Sequence, residues 1–472
     1  MVGSMRTLPP AARPAGHRLP NRFASNRIAS SSMIRPASAA SLTGREVPEE
    51  KGIYDSSVVV RVCLWAVHFC DGMQNMLIIG LLEDLVRSFP ESASCAKSAL
   101  GISYLVASAV SNPIWGWICD RHGLRVGIVT GLVLSAIGSG TVALSRSLSV
   151  ACLGRALSGM SANLSLNKAY LGIITCKRNQ GAAFGALTGS FGLAITITPL
   201  LCPALRGLFP EQSVAFGIGA FASLAALLTL AVCVVFLPDV EPDGPPGAAQ
   251  RVRSLTSDPF LSRYRLPLVA ACTYIMSGML LQIPDLTLTT AFVRKDRAYF
   301  FAGQGLVRTL STIFLFPVVV AAFGVVRVTQ VGLALSLVQI PVVYLASLID
   351  NDSAWYLAQA GAFCLRALVV SMTVTGAAVV VNNASSASTK ARAVSFTQSA
   401  ASLMGVGVTA ALSALLDAGR DIQLQFLPFL VLLGVAVVTV GTLGARLPPV
   451  LNEPRPDRVP RLRPPKRLSN NV

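Results

Sequence analysis

Gly116-Trp117-Ile118-Cys119-Asp120-Arg121-His122-Gly123-Leu124-Arg125 is a short charged turn between two apolar runs, residues 99–119 and 126–144. Each run is close to the ~20 residues that cross a bilayer as helix. The pattern repeats in both directions from this turn. Upstream lies an apolar run at 58–82, and downstream are runs at 150–174, 182–205 and 214–237. After a gap, six more follow at 266–289, 305–323, 328–348, 355–381, 393–416 and 424–443. The gap, 238–265, contains Pro242-Asp243-Gly244-Pro245-Pro246-Gly247, which cannot continue a helix. The sequence therefore predicts an all-α membrane protein of twelve transmembrane helices in two six-helix bundles.

Composition agrees. Of 472 residues, 53% are hydrophobic and 13% charged, and the mean hydropathy is +0.62. A soluble domain carries about 25% charged residues, so this chain has too little polar surface to cover a water-exposed globule of its size. The formal charge of +17 would suit a nucleic-acid binder. Here the basic residues sit in tails and short loops, where they orient helices instead, and no nucleic-acid partner is expected. The ten cysteines form no C-x-x-C pair and mostly fall inside apolar runs, so they read as small hydrophobes. No metal site or cofactor is expected.

Lysine and arginine set the orientation. With both tails inside, the inward loops hold Arg121, Arg125, Lys177, Arg178, Arg251, Arg253, Arg263, Arg265, Arg327, Lys390 and Arg392, and the outward loops hold acids such as Glu83, Asp84 and Asp350. Arg294-Lys295-Asp296-Arg297 is an outward exception. The expected organisation is a polar basic tail (1–57), a first bundle (58–237), a cytosolic linker (238–265), a second bundle (266–446) and a basic tail (447–472). The first tail is Arg- and Ser-rich with no acid before Glu46. It reads either as a cytosolic tail or as an organellar transit peptide, which leaves plasma membrane and organellar membrane both open.

The halves resemble each other. Gly123-Leu124-Arg125-Val126 leads to Gly131-Leu132-Val133-Leu134-Ser135, and Gly324-Val325-Val326-Arg327-Val328 leads to Gly332-Leu333-Ala334-Leu335-Ser336. Arg155-Ala156-Leu157 in span four matches Arg366-Ala367-Leu368 in span ten. The shared order suggests a duplicated six-helix unit, as one large class of transporters is built.

The opening stretch resembles the G-x-x-x-D-R-x-G-R signature of the major facilitator superfamily, which falls in the same loop. Gly116 would allow close helix approach, Gly123 a sharp turn, and Asp120 sits near the start of span three, where the helix dipole favours an anion. The resemblance implies a cytosolic gate built from Gly116, Asp120, Arg121, Gly123 and Arg125. The Arg155-x-x-x-Gly159 core is similar to the family's fourth-helix motif, whose arginine faces the central cavity. Lys168-Ala169-Tyr170 resembles the ending found in zinc-induced-facilitator-like carriers. Gly189-Ser190-Phe191-Gly192 followed by Thr198-Pro199 resembles the drug:proton antiporter motif G-x-x-x-G-P, with Ala194 and Thr198 where the two glycines stand.

Polar residues inside the spans are candidates for the solute and proton cavity, because a charge at mid-bilayer costs about 2.5–3.5 kcal/mol on insertion scales and rarely faces lipid. His68, Asp71 and Asn75 share a helical face, with Gln74 beside it. Arg155, Asp285, Arg308 and Arg366 complete the candidates. Asp71 is expected to exchange a proton and pair with Arg155, and Asp285 to bridge Arg308 near the outer side. No Gly-x-x-x-x-Gly-Lys-[Ser/Thr] loop, H-E-x-x-H or G-x-S-x-G motif occurs, so neither ATP drive nor hydrolase chemistry is indicated. The sequence reads as a secondary transporter, not an enzyme, acting as a monomer in the lipid bilayer on a small organic or drug-like solute, with proton antiport as its finer form. An uncoupled facilitator or organic-anion importer is the first alternative, and a non-transporting receptor or scaffold the second.

Overall fold

The computed structural model describes residues 57–80, 85, 93–176, 179–209, 214–240, 260–282, 297–349, 351–385, 389–421 and 426–452. Each of the twelve apolar runs is helical there. Spans one to three are Val58–Gly80, Ala93–His122 and Leu124–Ala143. Spans five and six are Gln180–Leu208 and Val214–Phe236. Spans nine to twelve are Val325–Ser347, Asp352–Ala384, Lys390–Asp421 and Leu427–Thr442. Span seven is Phe260–Ser277 followed by a π-helical turn, Gly278–Gln282. Span eight runs Arg297–Leu310, a π-helical turn Ser311–Leu315, then Phe316–Phe323. It starts well before residue 305, because backbone hydrogen bonding continues through the polar Arg297 and Gln304, which the hydropathy pattern leaves out.

Span four departs most from the sequence reading. It is two helices, Leu148–Gly159 and Asn163–Ile174. Ala162 at the junction takes a left-handed φ of 52°, a conformation that costs an L-residue roughly 1–2 kcal/mol. Packing on span three offsets this: a Cβ on Gly131 would come within 2.3 Å of the Ser161 carbonyl oxygen. The carbonyl freed at Met160 accepts a hydrogen bond from Trp115 Nε1 at 2.8 Å.

The two halves repeat a turn conformation. Gly123 and Gly324 have φ/ψ of 91°/150° and 81°/151° at the starts of spans three and nine, a region that glycine alone enters cheaply. A short segment docks beside each. Tyr170 Oη donates to the Pro238 carbonyl at 2.7 Å, and Val240 is buried. In the other half Asn383 Nδ2 donates to the Leu451 carbonyl at 2.9 Å, and the Val326 amide donates to Asn452 Oδ1 at 2.9 Å. Residues 238–240 and 447–452, which the sequence reading places in linker and tail, thus belong to the packed body: Val240, Leu447 and Leu451 carry apolar side chains that bury.

The apolar core shows how the halves meet. At the end holding the 120–125 turn, one continuous cluster joins residues of both halves, among them Leu64, Ile128, Leu166 and Phe184 with Val326, Ala377, Val380 and Val394. Toward the opposite end the core separates. Met73, Leu77, Leu148 and Leu205 form a cluster of the first half alone, and Ile340, Val343, Val369 and Phe429 one of the second half alone. Spans two and eleven, and spans five and eight, make the most extensive contacts across the seam.

Candidate transport cavity and loop-side latch

The seam between spans two and eleven is polar along its length. Asp120 and Arg392 form an ion pair across it. Gly116 lies where a Cβ would come 3.0 Å from the Arg392 backbone, so the helices touch through it. Deeper in, Ser399 hydrogen-bonds the Ala109 carbonyl and Ser108 meets Ser402 at 3.3 Å, while Ser165 of span four approaches Ser395 at 3.3 Å. Lys390 Nζ donates to the Gly172 carbonyl at 2.9 Å. Burial pushes the Asp120 carboxyl above its usual value, and the Arg392 hydrogen bond and charge oppose that rise.

The sequence grouped Asp120 with Arg121 and Arg125; the structure divides them. The Arg121 guanidinium lies over the Trp117 ring, 3.9 Å from its centroid. Arg125 pairs with Asp239 at 3.4 Å and donates to the Val234 carbonyl at 2.6 Å, tying span three to the end of span six. Asp120 alone faces the second half, because the last turn of span two packs on span eleven. Arg392 had no motif to mark it; only its place among the inward basic residues did.

The candidate cavity residues divide likewise. His68, Asp71, Arg155, Arg308 and Arg366 are all at least 94% buried. Asp71 lies against Asn163, at the break in span four, and interacts electrostatically with Lys168. It makes no ion pair with Arg155. Tyr104 of span two stands between them: its ring carries the Arg155 guanidinium at 4.6 Å, and its hydroxyl receives Asn75 Nδ2 at 3.4 Å. The expected pair is absent because a Cβ on Gly159 would come 2.3 Å from the Tyr104 carbonyl oxygen, a span two–span four contact that seats Tyr104 between the two charges. Gln74 is held apart from the other candidates by its hydrogen bonds. It turns into the first bundle, donating to the Ala222 carbonyl at 3.3 Å and accepting from Ser135 at 2.5 Å.

Across the seam, the Phe191 ring of span five lies 5.6 Å from the His68 ring and 5.5 Å from the Arg308 guanidinium. Arg308 therefore points inward rather than snorkelling to an interface; Asp285, its expected partner, lies outside the described residues. In the helix-five motif, Ala194 is fully buried against Gly72 of span one. Thr198 is buried with no partner for its hydroxyl, and Pro199, inside the helix, removes the amide that would bind a carbonyl one turn back. Gly189 and Gly192 face Ile313 and Thr309 of span eight, so this motif sits at the seam.

The residue the candidate set missed is Lys168. It is buried in span four, its Nζ donates to Tyr274 Oη at 2.7 Å, and Tyr274 donates onward to Gln398 Oε1 at 2.7 Å. This chain links spans four, seven and eleven. A lysine inside an apolar run was the available signal.

A family model described as Major Facilitator Superfamily matches residues 64–409. MdtD of Escherichia fergusonii, named for multidrug resistance, is 32% identical over 157 residues, which is 32% of this chain and 32% of that protein. The match thus spans about a third of such a relative's length. Two solved structures share the fold: the human organic anion transporter MFSD10 (TETRAN), at TM-score 0.62 and 17% identity over 82% of this chain and 99% of that one, and the proton:xylose symporter XylE, at 0.65 and 14% over 83% and 95%. With its signature turn on a two-bundle fold and a family match across both halves, this chain is an integral multi-pass membrane protein that belongs to the Major Facilitator Superfamily.

Proposed function

We propose that this chain is a secondary transporter that moves a small organic solute by alternating access, with proton exchange at Asp71 as its coupling step. The observation behind alternating access is the core: one apolar cluster shared by both halves beside the 120–125 turn, and two separate clusters toward the other end. Rocking the halves about the middle would join the separate clusters and part the shared one. The lysine and arginine distribution puts the turn side in the cytosol, so this state faces outward. Asp71 is the one fully buried acid among the described residues, which makes it the group a proton gradient can address. The multidrug-resistance name of the MdtD relatives favours a drug-like solute.

The test is transport in proteoliposomes with and without an imposed pH gradient, using well-folded Asp71→Asn protein beside the parent. The variant should lose the gradient response and keep downhill exchange. A normal gradient response in the variant removes Asp71 from the coupling step, and absence of solute movement by the parent removes the transport reading.

A further inference from the structure

Span four sets one cation between the two halves. Its second helix, Asn163–Ile174, starts beyond the left-handed Ala162 and carries both Asn163 and Lys168. Asp71 of span one lies against Asn163 and interacts electrostatically with Lys168. Lys168 is buried, and its Nζ donates to Tyr274 Oη of span seven at 2.7 Å. Tyr274 donates in turn to Gln398 Oε1 of span eleven at 2.7 Å. A single ammonium thus stands in the field of Asp71 in the first half and holds a hydrogen-bonded pair in the second. The space beside it, lined also by Asn382 and Thr397, has room for little more than a water molecule, which leaves these side chains to act on one another.

The groups around Asp71 make Lys168 the cation that answers its charge. His68 and Cys70 lie on its own span, and Cys233 of span six stands near Cys70. Span two brings Tyr104, which takes up the Arg155 guanidinium on its ring. Span five meets span one through Phe191 and Ala194 at Gly72. His68 faces Lys168 and Arg308, and Arg308 lies over the Phe191 ring. A buried charge is stable when it is paired and hydrogen-bonded. With Asp71 ionised, the Lys168 ammonium is compensated and can stay on Tyr274, where it polarises the phenol and strengthens the onward bond to Gln398. With Asp71 neutral, the ammonium is left on a neutral phenol. It then gains by reaching water, which it does when the seam parts.

We infer that Lys168 is a positioning residue that carries the charge state of Asp71 across the seam: it holds Tyr274 and Gln398 while Asp71 is ionised and releases them when Asp71 is neutral, loosening the side of the 120–125 turn. The inference rests on the coupling role proposed for Asp71 and supplies the link from that residue to the rocking of the halves.

The experiment is a double-mutant cycle on the full chain in lipid nanodiscs, in a background whose native cysteines are replaced. The reporter is alkylation of a cysteine engineered at Ser395, which is buried at the seam. All variants are compared at one mildly alkaline pH, so that Asp71 of the parent is ionised and Asp120 contributes equally throughout. Asp71→Asn strands the ammonium and Lys168→Gln strands the carboxylate, so each should raise labelling by about tenfold or more. The double variant strands neither and should return to within about threefold of the parent. Tyr274→Phe should raise labelling with both charges in place. A merely structural lysine predicts that the double variant labels at least as fast as the faster single one, and that result overturns the inference. So does parental labelling in Asp71→Asn or in Tyr274→Phe. Should a single variant fail to accumulate, the double variant, which leaves no lone charge, must still accumulate as the parent does; its failure overturns the inference too. The pH-gradient response in proteoliposomes is scored separately. Asp71→Asn that keeps this response removes the coupling role of Asp71 and this inference with it, whereas its loss together with an unrescued double variant sinks this inference alone.

Discussion

Arg392→Gln should open the turn side of the protein far more than Asp120→Asn, because the two partners of the ion pair are unequally buried. The Asp120 side chain is 9% exposed and that of Arg392 53%. Closure strips water from the carboxylate and leaves the guanidinium largely wet. Removing Arg392 strands a mostly buried carboxylate. For a fully buried pair, loss of one partner costs about 3–5 kcal/mol; with partial solvation the closed state should lose about 1–3 kcal/mol. At about 1.4 kcal/mol per decade, the closed-to-open ratio falls roughly five- to a hundredfold. Asp120→Asn loses the same pair but also the desolvated charge, and Arg392 returns to water, so its net effect should stay within about 1 kcal/mol. Adding Asp120→Asn to Arg392→Gln should restore closure.

The pH dependence follows with a definite sign. Burial holds the Asp120 carboxyl above its ordinary value while Arg392 pulls it down. In the open state that carboxyl is solvated and titrates near the usual ~3.9. The closed state therefore binds the proton more tightly, and acid favours closing. Arg392→Gln removes the downward pull, so its excess opening should fade as pH falls, at values above the usual carboxylate range. The assay is alkylation of a cysteine engineered at Thr397, in a background whose native cysteines are replaced. Asp120→Asn opening as much as Arg392→Gln, or Arg392→Gln labelling that ignores pH, would refute the reasoning.

Two further outcomes test the packing. Gly172→Ala would place a Cβ 1.8 Å from Asn382 Oδ1, so it should raise the same labelling, and Asn382→Ala in the same chain should return it toward the parent; if the second change does nothing, the two spans do not meet there in the closed state. Ala162→Gly should relieve the left-handed backbone at the break in span four and raise stability by about 0.5–1 kcal/mol, read as a higher unfolding temperature in nanodiscs; a fall would mean that the break is held by something other than the strain-offsetting contact with span three.

Much of the architecture was legible because hydropathy and short motifs record what lipid and close helix contact demand. The twelve runs, the duplicated Gly123 and Gly324 turns and the Gly116 approach are local facts of composition. The site was less legible, because its partners meet through tertiary structure. Nothing in the sequence says that Tyr104 separates Asp71 from Arg155, or that Asp120 reaches Arg392 rather than Arg125. Gln74 misled for a related reason: helical spacing puts it beside the Asp71 face, but only the packing of spans three and six shows that it turns into its own bundle. The broken fourth span escaped because hydropathy averaged over 150–174 stays apolar despite Arg155, Asn163, Asn167 and Lys168, and such an average does not register a single left-handed alanine.

Among the described residues six helices are long and apolar enough to cross a membrane on their own: those of spans three, five, six, eight, nine and ten. Spans one, two and eleven carry polar side chains at positions that lipid would not favour. Span one holds His68, Asp71, Gln74 and Asn75, span two Ser103, Ser108, Ser111 and Asn112, and span eleven Ser395, Gln398, Ser399 and Ser402. Most of these side chains face the seam or the buried cluster around Asp71, not lipid. A helix that only had to sit in hydrocarbon would gain by losing them. Small hydroxyls at the seam do what larger apolar residues would not: they let backbones approach closely and exchange hydrogen bonds of modest strength, about 0.6 kcal/mol each where such bonds have been measured in membranes. An interface that adds many weak polar contacts and, among the described residues, the Asp120–Arg392 ion pair to its apolar cluster can close and still part. The polar residues of spans one, two and eleven thus fit the proposed alternating access, in which this seam opens.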